Sequence, residues 1–172
     1  MDSEQALQTF ELPSKRAGIA RVVALHKRHI ADALAVAAAK RRAEAEVGDL
    51  MDDGTILAGV SPTTGERMYA APADTLSKSF NEAVEGAETF KVGALRGFRV
   101  PDEAELQVLY ENRREGALSG TFEEEHSRDY LTTGWYWSSK LRDEKSAYGM
   151  WFSRGTQVDF GKHLKTFVRY VR

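Results

Sequence analysis

The stretch Gly134-Trp135-Tyr136-Trp137-Ser138-Ser139 decides how the C-terminal end of the chain is read. Aromatic and small polar residues alternate through it, the composition of a pleated, half-buried strand. Trp135 and Trp137 stand two apart, so a strand puts both indoles on one sheet face. The sequence beyond keeps this character. Ala147 to Phe152 reads as a strand, Arg154-Gly155 as a turn and Thr156 to Phe160 as a strand; Gly161-Lys162 turns again, and Thr166 to Val171 closes the chain. The spacing gives a small antiparallel sheet with short connections.

Working upstream, Asp102 to Arg114 reads as a helix. Pro101 ends the extended stretch before it, Asp102 and Glu105 have the spacing of a capping box, and Leu106, Leu109 and Tyr110 form its buried stripe. Ser79 to Phe90 reads as another helix, with Ser79 or Asn81 near its start. Before it, Thr55 to Val60 and Arg67 to Ala71 make a hairpin across the turn Ser61-Pro62-Thr63-Thr64-Gly65. Asp52-Asp53-Gly54 is the turn that leads in.

The composition changes near Gly48. From about Lys15 to Val47 the chain is rich in Ala, Lys and Arg, strong helix formers, with Ser14 as N-cap and Gly48 as the residue just past the end. Residues 1–48 are therefore expected as a long helix for oligomerisation or docking, and residues 49–172 as the folded domain. Ile19, Val23, His26, Ile30, Ala33 and Ala37 follow heptad spacing, the seam of a coiled coil. His26 sits inside that seam, Lys40 follows it, and Val22, Leu25, Leu34 and Val36 lie off it. Self-association, with a trimer favoured, and docking on a different chain stand as alternatives.

The 172 residues carry 42% hydrophobic and 29% charged residues and a formal charge of -2, the profile of a globular domain with no overall pull toward nucleic acid. The absence of cysteine excludes a disulfide framework, a zinc–cysteine site, an iron–sulfur cluster and a thiol nucleophile. The longest apolar run, Ala33 to Ala39, is far short of the roughly 20 residues a membrane span needs, so no membrane insertion is expected. Met1 to Leu12 has neither the basic nor the apolar region of a signal peptide, so synthesis is expected in the cytoplasm, with virion association as one destination. His26 and His29 are separated by Lys27 and Arg28, and His126 and His163 are isolated, so no metal site is expected. No nucleophile elbow, glycine-rich phosphate loop or HExxH pair occurs, so neither an enzyme nor a cofactor is expected.

Several blocks, in order, carry a resemblance. They are Asp53-Gly54-Thr55-Ile56, Phe98-Arg99-Val100-Pro101 followed by Glu105-Leu106, Trp135-Tyr136-Trp137-Ser138-Ser139, Trp151-Phe152-Ser153-Arg154-Gly155 and Phe167-Val168-Arg169-Tyr170-Val171-Arg172. Over residues 52–172 the chain resembles the bacterial and phage family of the C-terminal domain of the Legionella collagen-like adhesin. The resemblance implies an α+β, C-type-lectin-like fold: two helices flanking a twisted antiparallel sheet, with the first and last strands close together. It also implies that Trp135 and Trp137 are core positions. Phe98 stands where the family has tryptophan, Asp102 where threonine is common, and Tyr170 where cysteine is usual. Neither an E-P-N-like nor a W-N-D-like calcium triplet is present.

Charge is segregated along the chain. Residues 101–130 hold nine acids and three bases, whereas residues 134–172 hold eight bases and three acids. Arg142, Lys145, Arg154, Lys162, His163 and Lys165 fall in or beside turns of the expected sheet, a loop-borne basic patch suited to a polyanionic glycan. The competing outcomes are that the acidic segment folds over the basic sheet, or that both are solvated, Glu123-Glu124-Glu125 as an acidic loop. The family's adhesin is associated with sulfated polysaccharides. The resemblance thus implies a non-enzymatic recognition module that presents loops to a surface ligand within a phage virion, tail or surface assembly. The alternative is a structural or decoration subunit whose helix and basic patch bind neighbouring protein chains.

Overall fold

The computed structural model describes residues 13–124 and 134–172, apart from the side chains of residues 13–15 and 77. The chain divides into two units, 1–44 and 45–172. The first contains helix α1, Pro13–Glu44. Proline opens it, where the missing N–H costs no helix bond, so Ser14 lies inside the helix rather than capping it. Arg41 and Arg42 in the last turn oppose the negative end of the helix dipole.

The helix stops before the expected Val47, and Gly48 is not its terminator. Gly48 has a φ of +91° and belongs to the second unit: its N–H donates to the Leu57 carbonyl at 2.8 Å, and its carbonyl accepts from Ala117 at 2.7 Å. A methyl group at Gly48 would stand 2.6 Å from the Glu115 backbone. This close approach is possible only for glycine.

In the second unit β1, Ile56–Val60, and β2, Arg67–Ala70, form the expected antiparallel hairpin. A five-stranded sheet follows, built from β3 (Thr75–Lys78), β4 (Trp135–Leu141), β5 (Ser146–Trp151), β6 (Thr156–Gly161) and β7 (Thr166–Val168) in the order β3-β7-β4-β5-β6. Two helices complete the unit: α2, Phe80–Thr89, and α3, Glu103–Asn112. Both begin with complete capping boxes, Ser79 with Glu82 and Asp102 with Glu105. The architecture is α+β.

The sheet corrects the antiparallel expectation in two respects. β7 runs parallel to β4, with Tyr136 opposite Phe167, and β3 is an additional strand paired with β7. Alternation along a strand carries no information about which edge the strand will join. The last strand is also shorter than expected. Beyond Val168 the chain leaves the sheet, and the residues that follow pair elsewhere: Val171 exchanges two hydrogen bonds with Arg99 at 2.8 and 2.9 Å, and Arg172 exchanges two with Tyr69 at 2.9 Å.

Both faces of the sheet are buried. Tyr136, Met150 and Phe167 pack on one face with the β1–β2 hairpin, Leu106 and Leu109. Trp137, Phe160 and Val168 pack on the other with Phe80, Ala83 and Ala87 of α2. Neighbours such as Tyr136 and Trp137 therefore point to opposite faces, and both are fully buried. Trp135 and Trp151 are only half-buried, so Trp135 is not the core position the resemblance implied. Gly149 sits beneath the Phe160 ring, where a methyl group would come within 2.7 Å of it.

Two buried charges anchor the chain's end and the start of α3. Arg169 is fully buried; it donates to Asp74 at 2.6 Å, to the Ala71 carbonyl at 2.8 Å and to Thr121 Oγ1 at 3.0 Å, and lies 4.0 Å over the Phe122 ring. Asp74 also accepts the Tyr136 hydroxyl. Burial pushes the Asp74 carboxyl above its usual range despite the Arg169 charge beside it. The second charge is Glu105, gripped by Arg99 and by the Ser61 hydroxyl. Arg169 thus holds the domain together from within, and Arg99 pairs with the buried Glu105 from the surface.

Candidate ligand-binding cleft

Three local structures meet at one end of the β5–β6 pair. The first is the β4–β5 turn, where the Asp143 carboxylate accepts the N–H groups of Lys145 and Ser146, both at 2.8 Å. Hydrogen bonds from Ser146 and Lys145 hold the Asp143 carboxyl below its usual range. The second is the segment after β6: Lys162 donates its N–H to the Lys145 carbonyl at 2.8 Å. The third is the start of α2, where Phe80 donates to the Lys162 carbonyl at 3.0 Å. Two backbone hydrogen bonds therefore tie the three segments into one rim.

The rim encloses a cleft of about 570 Å³, lined by Ser79, Asn81, Glu144, Lys145, Ser146, Gly161, Lys162 and His163. The Lys162 ammonium lies 5.2 Å from the Phe80 ring centre, a cation–π contact that steers its stem across the helix start. The His163 imidazole folds back over Gly161, and a methyl group at Gly161 would come within 2.6 Å of its Cε1. Ser79 is committed to its cap: Glu82 accepts its N–H at 2.8 Å and its hydroxyl at 2.9 Å. These two bonds hold the Glu82 carboxyl below its usual range, with Lys165 and Lys78 adding smaller electrostatic contributions.

Of the six basic residues singled out in the sequence, the cleft gathers Lys145, Lys162 and His163. Lys165 is exposed on the same connection, within electrostatic reach of Glu82. The remaining two do not join them. Arg142 turns to Asp159 in an ion pair, and Arg154 lies over the Trp151 ring at 4.4 Å, in the turn at the opposite end of β5 and β6. The single basic patch expected is therefore divided. A hairpin puts its successive turns at opposite ends, so sequence proximity of Arg154 and Lys162 separates them in space.

Internal pairing also absorbs part of the charge segregation. Glu103 meets Lys140 at 2.6 Å, and Glu124 meets Arg113 at 3.2 Å and Arg114 at 3.7 Å. Glu125 and His126 lie outside the described residues, as do Met1 to Leu12. Lys145, Lys162 and Lys165 make no ion pair among the described residues. The sequence reading missed Ser79, Asn81, Glu144, Ser146 and Gly161 as cleft residues. The Ser79–Glu82 capping signal was present, but it announces a helix start and not what that start will face.

On α1 the seam residues Ile19, Val23, His26, Ile30, Ala33 and Ala37 are all exposed in the single chain. Val22, Leu25, Leu34 and Val36 are exposed too, by 51% to 70%, so the apolar surface is wider than the heptad seam. No helix among the described residues is long and apolar enough to cross a membrane. No family model matches the sequence, and no curated protein matches it.

Proposed function

We propose that residues 49–172 are a C-type-lectin-like recognition module that holds an acidic glycan in the cleft at the start of α2. The observation that carries this reading is the convergence of Lys145, Lys162 and His163 from two separate segments onto one cavity beside Ser79 and Asn81. The ammonium groups attract sulfate or carboxylate substituents, while the amide of Asn81 offers directional donors. The architecture reading is supported by the two helices on the sheet and by the hydrogen bonds that join the chain's end to β2.

The reading is of a binder and not an enzyme. The one hydroxyl at the helix start, that of Ser79, already donates to Glu82 as part of a cap and is not poised as a nucleophile. Self-association through the α1 seam, as a trimer, would set several clefts side by side and turn weak contacts into avidity. A virion, tail or surface assembly is the setting that uses such a device.

Heparin is a suitable test ligand for the full chain. Binding at about 50 mM salt that weakens strongly at about 500 mM is expected for an electrostatic cleft. Lys145→Glu with Lys162→Glu should abolish it, while Arg96→Glu, an exposed change elsewhere, should not. Loss of binding in neither variant would overturn the assignment.

The breadth of exposed apolar surface on α1 favours a second reading, a structural or decoration subunit. It predicts ordered assembly of a chain that binds no acidic glycan, with assembly lost when the apolar face of α1 is made acidic.

A further inference from the structure

We infer that Glu144 sets the charge pattern of the ligand: the cleft takes a glycan whose acidic sugars alternate with neutral ones, and the Glu144 carboxylate disfavours a chain that carries acid on every sugar. This rests on the cleft assignment above and narrows the class of acidic glycan that the cleft takes.

Among the described residues that line the cleft, Glu144 is the one acid. It is exposed, and it follows Asp143 and precedes Lys145 in the β4–β5 turn. The two carboxylates nearest to it in the rim are already occupied. Asp143 accepts the N–H groups of Lys145 and Ser146, and Glu82 accepts the N–H and the hydroxyl of Ser79 in the α2 cap. Glu144 makes neither an ion pair nor a side-chain hydrogen bond among the described residues. Its charge is left to the cleft.

The turn that carries it is well fixed. The N–H groups of Arg142 and Asp143 both donate to the Ser146 carbonyl, at 3.1 and 3.2 Å, and the Asp143 carboxylate closes the turn from within. Glu144 and Lys145 stand at its tip. An anion and a cation are thus presented in succession, and the Lys162 N–H bond to the Lys145 carbonyl brings a second cation to the same rim.

A site built for charge density alone would carry a neutral residue at position 144, because like charges brought together oppose binding. A repelling group of this kind discriminates between ligands when the right one satisfies it and the wrong one does not. An ionised carboxylate only accepts hydrogen bonds, so the groups that satisfy Glu144 are hydroxyl or amide N–H donors of an uncharged sugar. Lys145 and Lys162 then take the carboxylate or sulfate of the sugar beside it. A chain with acid on every sugar puts one of its anions against Glu144.

The probes are hyaluronan and heparin octasaccharides, which carry acid on alternate sugars and on every sugar respectively, titrated against the full chain at about 50 mM salt. Both should bind. Glu144→Gln keeps the shape of the side chain and removes its charge; at an exposed turn tip it should leave the melting temperature unchanged. It should tighten heparin about threefold, by removing the repulsion, and weaken hyaluronan about threefold, by replacing a charged acceptor with a neutral one. Glu66→Gln removes an equal charge from an exposed position elsewhere and should change neither. Equal tightening of both probes by Glu144→Gln, no change in either, or a parent chain that binds heparin and not hyaluronan would overturn the charge-pattern assignment and leave the cleft standing. If neither probe binds the parent chain, or if Lys145→Glu with Lys162→Glu leaves binding intact, the cleft assignment fails and the role of Glu144 fails with it.

Discussion

Arg99 grips Glu105 with both arms of its guanidinium, at 2.5 and 2.6 Å, and the Glu105 side chain is fully buried where it does so. The same carboxylate accepts the Ser61 hydroxyl at 2.5 Å and closes the α3 capping box by accepting the Asp102 N–H at 3.0 Å. One side chain thus joins the hairpin loop, the extended segment before α3 and the first turn of α3. Arg99→Ala leaves that carboxylate without its cation. Because Arg99 itself is partly exposed, water can enter, and the expected loss is about 2 kcal/mol rather than the larger cost of a sealed pair. Urea denaturation of the two proteins would measure it, and Arg99→Lys should recover only part, since ammonium cannot make the paired contact.

The same geometry sets a pH dependence. Burial alone would raise the Glu105 carboxyl, but the hydrogen bonds from Arg99, Ser61 and Asp102 outweigh it and hold the group below its ordinary 4.5. The folded state therefore binds this proton less readily than the unfolded state. The stabilisation is complete above about pH 4.5 and is lost as pH falls through the lower folded value. Glu105→Gln should flatten the acid limb of the stability curve in that window, as read from denaturant midpoints at stepped pH. A mutant limb as steep as the parent's would show that other carboxyls govern acid unfolding.

Gly149→Ala tests the ring packing beneath α2. The added methyl group meets the Tyr136 backbone carbonyl of β4 as well as the Phe160 ring, which stacks on Trp137 and meets Trp135 edge-on. Overpacking of this kind costs about 1–3 kcal/mol. The near-ultraviolet circular dichroism should change with it, because the displaced ring touches two indoles.

Gly161→Ala separates cleft geometry from stability. The obstacle there is the far end of the His163 side chain, which can swing away at little cost. The variant should melt within a degree or two of the parent, yet bind heparin several-fold more weakly because the imidazole no longer lies in the cleft. Unaltered heparin affinity would remove His163 from the site.

The helix makes a separate prediction. Val23→Asp with Ile30→Asp places charge in the middle of the exposed seam. Light scattering should find the full chain as an oligomer, a trimer by expectation, and the variant as a monomer that binds the heparin polymer more weakly because avidity is lost. Monomers in both cases would direct the search to a different protein that covers the helix.

Local signals made much of this fold legible. The hairpin and both capped helices could be read because their determinants, turn residues and S/D-x-x-E spacings, lie within a few positions of one another. β3 could not, because Thr75 and Lys78 find their partners Val168 and Thr166 only after the rest of the sheet has been laid down. Arg169 was equally opaque: its place in the sequence resembles an alternating strand, but it is withdrawn to Asp74. At the cleft, the turn-borne cations were legible as a group. Their division was not, because it depends on which end of the β5–β6 hairpin each turn occupies.

The position of Arg169 bears on how the chain acquires its structure. Its guanidinium binds the Ala71 carbonyl, 98 residues earlier, and the strands around that carbonyl are made long before the arginine. During synthesis the β1–β2 hairpin can be covered by Leu106 and Leu109 of α3, but it lacks Phe167, Val171 and the Arg169 bonds until the segment that carries them has been made. Contacts this distant slow folding through the entropy of closing the intervening loop. Products that stop before residues 166–172 are therefore the forms most exposed to aggregation and proteolysis. Exposed apolar surface in such a partly made domain is the usual route to aggregation.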